Sequence, residues 1–82
     1  MRYELDFKPQ AVKDLARLDP VQRTRIVAKI ELMADNLRGD VKRLTNFTPE
    51  YRLRVGDYRV LFEIQGAKIV IYRVRHRSKS YR

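Results

Sequence analysis

Residues 51–82 carry nine arginines and lysines against two acids, a net charge of +7, and many of the cations alternate with apolar residues. The segments read Tyr51-Arg52-Leu53-Arg54-Val55, Tyr58-Arg59-Val60-Leu61-Phe62 and Val70-Ile71-Tyr72-Arg73-Val74-Arg75-His76-Arg77. A strand sends successive side chains to opposite faces, so period-two alternation can gather these cations on one face. A guanidinium is planar, grips two phosphate oxygens at once and keeps its charge throughout the physiological range. Several of them converging on one phosphodiester would position it and stabilise the extra negative charge of a pentavalent transition state, with no metal required. RNA brings its own nucleophile, the 2′-hydroxyl, so a catalyst acting on it need only align that group and manage protons.

Protons are the harder problem. Arginine is a poor general base because its pKa exceeds about 12. That leaves His76, the only histidine, and Tyr81. His76 shares the parity of Val70 and Val74, which points it away from the arginines unless the strand ends before it. A structural role and a proton-carrying role therefore both stand. Tyr51 and Tyr58 sit on the apolar phase and read as core, whereas Tyr81, in the polar tail Ser78-Lys79-Ser80-Tyr81-Arg82, is better placed to stack on a base. Arg73, Arg75, Lys79 and Arg82 add cations for an RNA backbone.

The elements that must hold these residues can be read from the rest of the chain. Eighty-two residues suit one domain, spanning 1–82, with a single modest core. A hydrophobic share of 44% is ordinary for a globular protein despite the net charge of +9. Residues 1–50 contribute only +2 of that charge. With no cysteine, thiolate chemistry and disulfides are excluded, and one histidine with scattered acids argues against a metal site. No apolar run approaches the roughly 20 residues that a membrane span needs. The opening Met1-Arg2-Tyr3-Glu4-Leu5-Asp6-Phe7 alternates and carries acids, unlike a secretion signal, so a cytoplasmic location is expected.

Residues 2–7 read as a strand. Pro9 suits a first helical turn, with Ala11, Val12, Leu15, Ala16 and Leu18 at helical spacing. Asp19-Pro20 stops that helix and caps the next, which runs to about Leu37 on a stripe of Val27, Ile30, Ala34 and Leu37 beside Ile26 and Met33. Gly39 is its stop signal. Residues 40–50 read as an irregular excursion around Thr48-Pro49. Strands follow at about 51–55, 58–65 and 68–76, joined by the short turns Gly56-Asp57 and Gln65-Gly66. The expected fold is α+β, in the order β-α-α-β-β-β, with a helical hairpin on one face of a small antiparallel sheet. On that reading Val70, Tyr72 and Val74 face the helices. Arg52, Arg54, Arg59, Arg73, Arg75 and Arg77 share the open face.

This arrangement resembles the RelE-type toxins of bacterial and archaeal toxin–antitoxin modules. The resemblance rests on Tyr51-Arg52-Leu53-Arg54, Tyr58-Arg59-Val60-Leu61-Phe62, Arg75-His76-Arg77, a terminal Tyr81, Lys42-Arg43-Leu44 and the opening Tyr3…Leu5-Asp6-Phe7, and covers nearly the whole chain. It implies a metal-independent, cofactor-free endoribonuclease that cuts mRNA in the ribosomal A site by 2′-hydroxyl attack. It also implies that Arg52 and Arg54 act on the nucleophile and phosphate, Arg59 clamps the phosphate, Arg77 serves the leaving group or transition state, and Tyr81 orients the base. Well-studied members carry lysines at the positions of Arg52 and Arg54; arginine cannot shed a proton as a crowded lysine can. Here His76 or solvent takes the base role, or turnover relies on orientation and charge alone. The implied partners are a cognate antitoxin with an acidic, helix-forming tail, the ribosome and mRNA, and operator DNA through the antitoxin only. Two alternatives remain: a ParE-type toxin, with the same fold but acting on DNA gyrase, and a non-catalytic RNA-binding module.

Overall fold

The computed structural model describes residues 1–79. The chain runs β1 (Glu4–Phe7), α1 (Pro9–Ala16), α2 (Pro20–Met33), β2 (Asp40–Arg43), β3 (Tyr51–Val55), β4 (Tyr58–Gln65) and β5 (Lys68–His76). Two helices pack on a five-stranded sheet of order β1-β5-β4-β3-β2. No helix among the described residues is long and apolar enough to cross a membrane.

The helices begin where local chemistry dictates. Pro9 and Pro20 occupy first turns, where the missing N–H costs nothing, and the Asp19 carboxylate accepts a hydrogen bond from Gln22 N–H at 3.1 Å. Helix α2 stops at Met33, short of the expected Leu37. The N-terminal segment takes over there: Tyr3 N–H donates to the Ala34 carbonyl at 2.7 Å, and Asn36 N–H to the Met1 carbonyl at 2.8 Å. Asn36 and Leu37 then adopt left-handed backbone conformations, which a helix cannot contain. The faces are mostly as expected, with Ala11, Leu15, Ile26, Ile30, Met33 and Ala34 buried, although Val12, 54% exposed, and Ala16 lie outside.

The sheet departs from expectation in three ways. Residues 40–43, expected to be irregular, form the edge strand β2, in antiparallel register with β3 from Asp40↔Arg54 to Arg43↔Tyr51. Three of its four residues are charged, which suits an edge strand and hides it from any search for apolar alternation. The sheet is also mixed: β1 runs parallel to β5, and the other pairs are antiparallel. Finally, β5 bulges. Leu61 pairs with Arg73 but Phe62 with Ile71, leaving Tyr72 as the extra residue. One inserted residue reverses the alternation on either side of it. Ile69, Ile71 and Val74 thus join the helix-side core, rather than Val70 and Tyr72 with Val74. Val70 is buried outside that cluster. The other core strands follow the expected phase, with Leu53, Val55, Val60 and Phe62 facing the helices.

Beyond Phe7 the edge of β5 passes from β1 to α1. Lys8 N–H still donates to the Ile71 carbonyl at 2.8 Å, and the next outward N–H, that of Val74, is taken by the Asp14 carboxylate at 2.9 Å.

Candidate phosphate-binding face

Because directly paired residues point to the same side of a sheet, strand register decides which cations meet. Asp40 pairs with Arg54, Arg54 with Arg59, and Arg59 with Arg75, so one rung across four strands reads Asp-Arg-Arg-Arg. The next rung reads Lys42-Arg52-Leu61-Arg73. Both lie on the face the helices leave open. Cβ atoms of directly opposed residues stand about 4.5–5.5 Å apart, close enough for the guanidinium groups of the first rung to repel one another or to share an anion.

Each arginine is held differently. Arg52 lies flat, its side chain only 14% exposed, with Nη1 donating to the Asp40 carbonyl at 2.9 Å and to Asp40 Oδ1 at 3.1 Å. Arg54 stands out into solvent, 57% exposed, with Nε 3.6 Å from Asp40 Oδ2. Arg59 Nη1 donates to the carbonyls of Gly56 and Tyr58, both at 3.0 Å, which anchors that guanidinium at the β3–β4 turn. Arg77 lies beside the same turn: its N–H donates to the Asp57 carbonyl at 2.7 Å and its Nε is 3.9 Å from Asp57 Oδ1. The turn end of the sheet therefore gathers Arg54, Arg59, Arg75 and Arg77 around an open surface.

Two candidates are placed elsewhere. Arg73 reaches round the sheet edge to α1, where Nε and Nη2 grip the Asp14 carboxylate at 2.8 and 3.2 Å. Burial pushes the Asp14 carboxyl up, but hydrogen bonds from Arg73 and Val74 N–H, with the Arg73 charge and a bond from Gln10, bring it below its ordinary value. The hydrogen bond to Asp14 raises Arg73 in turn. The fork of Arg73 is thus occupied within the fold rather than offered to a ligand. His76 opposes Tyr58 on the helix side, edge-to-face at 5.6 Å, and its Nδ1 lies 3.1 Å from Ser78 Oγ. It does not join the arginine rung, as its parity with Val74 foreshadows. Tyr51 stacks on Phe62 at 5.5 Å, consistent with a core role. Lys79 lines a notch with Arg17, Arg75 and His76. Tyr81 and Arg82 fall outside the described residues.

Sequence reading missed two acids. Asp40 was hidden inside the supposed excursion. Asp14 had a visible signal: it occupies the helical position between Ala11 and Leu18 on the buried stripe, where a carboxylate needs a cation.

Residues 5–81 match the family model described as the ParE toxin of type II toxin–antitoxin systems. The chain is also 35% identical over 80 residues to Toxin RelE3 of Methanocaldococcus jannaschii, covering 92% of this chain and 91% of that protein. The chain belongs to the RelE/ParE family of type II toxin–antitoxin toxins. Two solved structures agree with this RelE/ParE fold. One is a RelB–RelE antitoxin–toxin complex from Methanococcus jannaschii, matched at 35% identity and TM-score 0.74 over 89% of this chain and 91% of that one. The other is the RelBE2 complex of Mycobacterium tuberculosis, at 26% identity and TM-score 0.80 over 93% and 99%. The α+β architecture expected from the sequence is thus that of RelE/ParE toxins.

Proposed function

We propose that this toxin is a metal-independent, ribosome-dependent endoribonuclease that cuts mRNA in the A site and so arrests translation. The observation that carries the proposal is the Arg54-Arg59-Arg75 rung, three arginines in backbone register on one face, with Arg77 at the turn that also anchors Arg59. Such a set can hold the non-bridging oxygens of one phosphodiester and stabilise its transition state, while the 2′-hydroxyl of the RNA supplies the attack. In this reading Arg54 and Arg59 clamp the phosphate, Arg77 faces the departing 5′-oxygen and Arg52 holds the floor of the site. Arg75 and Lys79 follow the backbone on either side, and Tyr81 and Arg82 of the tail engage the neighbouring nucleotide. Cleavage leaves a 2′,3′-cyclic phosphate and a 5′-hydroxyl. His76, on the other face, takes no part.

The solved relatives are antitoxin–toxin complexes, which supports a cognate antitoxin as the partner of this chain. An acidic segment of it would cover the arginine rung, and operator DNA would be reached only through the antitoxin. A cytoplasmic location is part of the same proposal, since the ribosome and mRNA would be met there. The ParE description of the matching family model favours a second reading, inhibition of DNA gyrase without nuclease activity. Induced expression in a bacterial host, with primer extension across a translated mRNA, separates the two. Discrete cuts that vanish when translation is blocked support the ribonuclease. Growth arrest with intact mRNA and altered plasmid supercoiling supports the gyrase reading.

A further inference from the structure

The proposed reaction needs a group to accept the 2′-hydroxyl proton, and the arginines of the rung cannot do so. Strand β2 supplies one. Across the eight positions of the two rungs, Asp40 is the sole acid. Its carboxylate lies with Oδ1 3.1 Å from Arg52 Nη1 and Oδ2 3.6 Å from Arg54 Nε, and its side chain is 54% exposed on the open face. We propose that Asp40 is the general base of the ribonuclease, a role that rests on the ribonuclease reading itself.

The charged groups that face Asp40 are Arg52 and Arg54 from β3, with Arg59 and Arg75 further along the rung and Lys42 next on its own face of β2. The carboxylate form is the one able to take a proton. In the free enzyme Asp40 occupies Arg54 much as a substrate phosphate would. When a phosphodiester arrives, the exposed Arg54 fork turns to its oxygens and frees Oδ2 toward the sugar. Arg52, half-buried and tied to both Asp40 Oδ1 and its backbone carbonyl, keeps the carboxylate in place. The 2′-hydroxyl proton passes to Asp40 as the O2′–P bond forms. The P–O5′ bond breaks, and the departing oxygen is protonated by solvent. Another water later removes the proton from Asp40. Arginine at positions 52 and 54 is then no defect, because the base lies on the neighbouring strand.

Asp40→Asn keeps size and hydrogen-bond acceptance but cannot hold the proton. On ribosomes carrying a short mRNA, the single-turnover cleavage rate should fall about 100-fold or more, the usual contribution of a general base. The falling acid limb of the pH–rate profile should disappear. Binding to a cleavage-inert 2′-deoxy oligonucleotide should tighten, because an anion competing for Arg54 has been removed. Asp40→Glu should recover part of the rate. Cleavage at the wild-type rate would overturn the assignment, as would slow cleavage with weaker binding, which would mean that Asp40 only shapes the arginines. So would transfer of the pH effect to Asp57→Asn, the acid beside Arg77. If wild-type toxin cuts no RNA while still arresting growth, the ribonuclease reading falls and Asp40 as its base falls with it.

Discussion

Removing the Asp14 carboxylate should destabilise this toxin more than its place on an eight-residue surface helix suggests. The side chain is 7% exposed and accepts hydrogen bonds at once from Arg73 Nε, Arg73 Nη2 and Val74 N–H, besides the one from Gln10. Asp14→Ala leaves the Val74 N–H without its acceptor, a loss of about 1–3 kcal/mol. It also strips Arg73 of its partner. Breaking a fully buried pair costs about 3–5 kcal/mol, but the Arg73 side chain is 34% exposed and water recovers part of that. A total near 3 kcal/mol follows, equivalent to a fall in Tm of roughly 12–24 °C for a domain of this size. Asp14→Asn keeps an acceptor for one donor and should lose about half as much.

The pH dependence has a definite sign. Asp14 titrates below its ordinary value in the folded state, so the unfolded chain binds its proton first as pH falls. Its contribution is complete above the ordinary carboxylate range and disappears as pH drops through the folded value. The Tm gap between wild type and Asp14→Asn, measured by circular dichroism, should therefore be widest near neutrality and shrink on acidification. An Asp14→Ala variant melting within about 3 °C of wild type would refute the reasoning, and so would a gap unchanged down to strongly acidic pH.

Other expectations concern the open face and its opposite. Arg54→Ala should reduce RNA cleavage about 100-fold or more while shifting stability by no more than about 0.5 kcal/mol, since the side chain is 57% exposed; matched activity and thermal-melt assays check both. His76→Ala should leave the pH–rate profile of cleavage unchanged, because His76 lies against Tyr58 on the helix side; a flattened profile would return it to the mechanism. Arg75→Thr should weaken binding to a short RNA yet raise Tm by a few degrees at low salt.

Apolar periodicity and turn residues made both helices legible, together with β3, β4, β5 and the core phase of β3 and β4. Asp19-Pro20 and Gly56-Asp57 left little choice about where the chain turns. What stayed hidden depends on partners far away in sequence. Strand β2 has one apolar residue, Val41, and exists because β3 offers it a hydrogen-bonded edge. The bulge at Tyr72 inserts one residue into Ile69-Val70-Ile71-Tyr72, a run apolar enough to fit either phase. Arg73 was assigned to the ligand face by alternation, whereas its head group answers to Asp14, 59 positions away in sequence. In the site, spacing alone placed Arg54, Arg59 and Arg75 on one face. It could not supply Asp40, whose place depends on a strand that alternation does not reveal.

The sign expected for Arg75→Thr follows from the rung itself. Like charges directly opposed across a sheet cost about 0.2–1 kcal/mol per pair. Arg75 faces Arg59, Arg59 faces Arg54, and the single acid of the rung stands at the far end, where it contacts Arg52 and Arg54. Replacing Arg75 removes one repulsion outright and installs a β-branched residue suited to a strand, so the fold gains roughly 0.5–1 kcal/mol. Since the Debye length is about 10 Å at 0.1 M salt, added salt screens the same repulsion. Wild-type toxin should gain stability as salt rises, and the gap to Arg75→Thr should close. RNA or an acidic partner would achieve the same relief by supplying the missing anion. A variant less stable than wild type at low salt would mean that Arg75 is already neutralised within the fold. The rung would then be a balanced part of the sheet rather than a strained surface awaiting a phosphate.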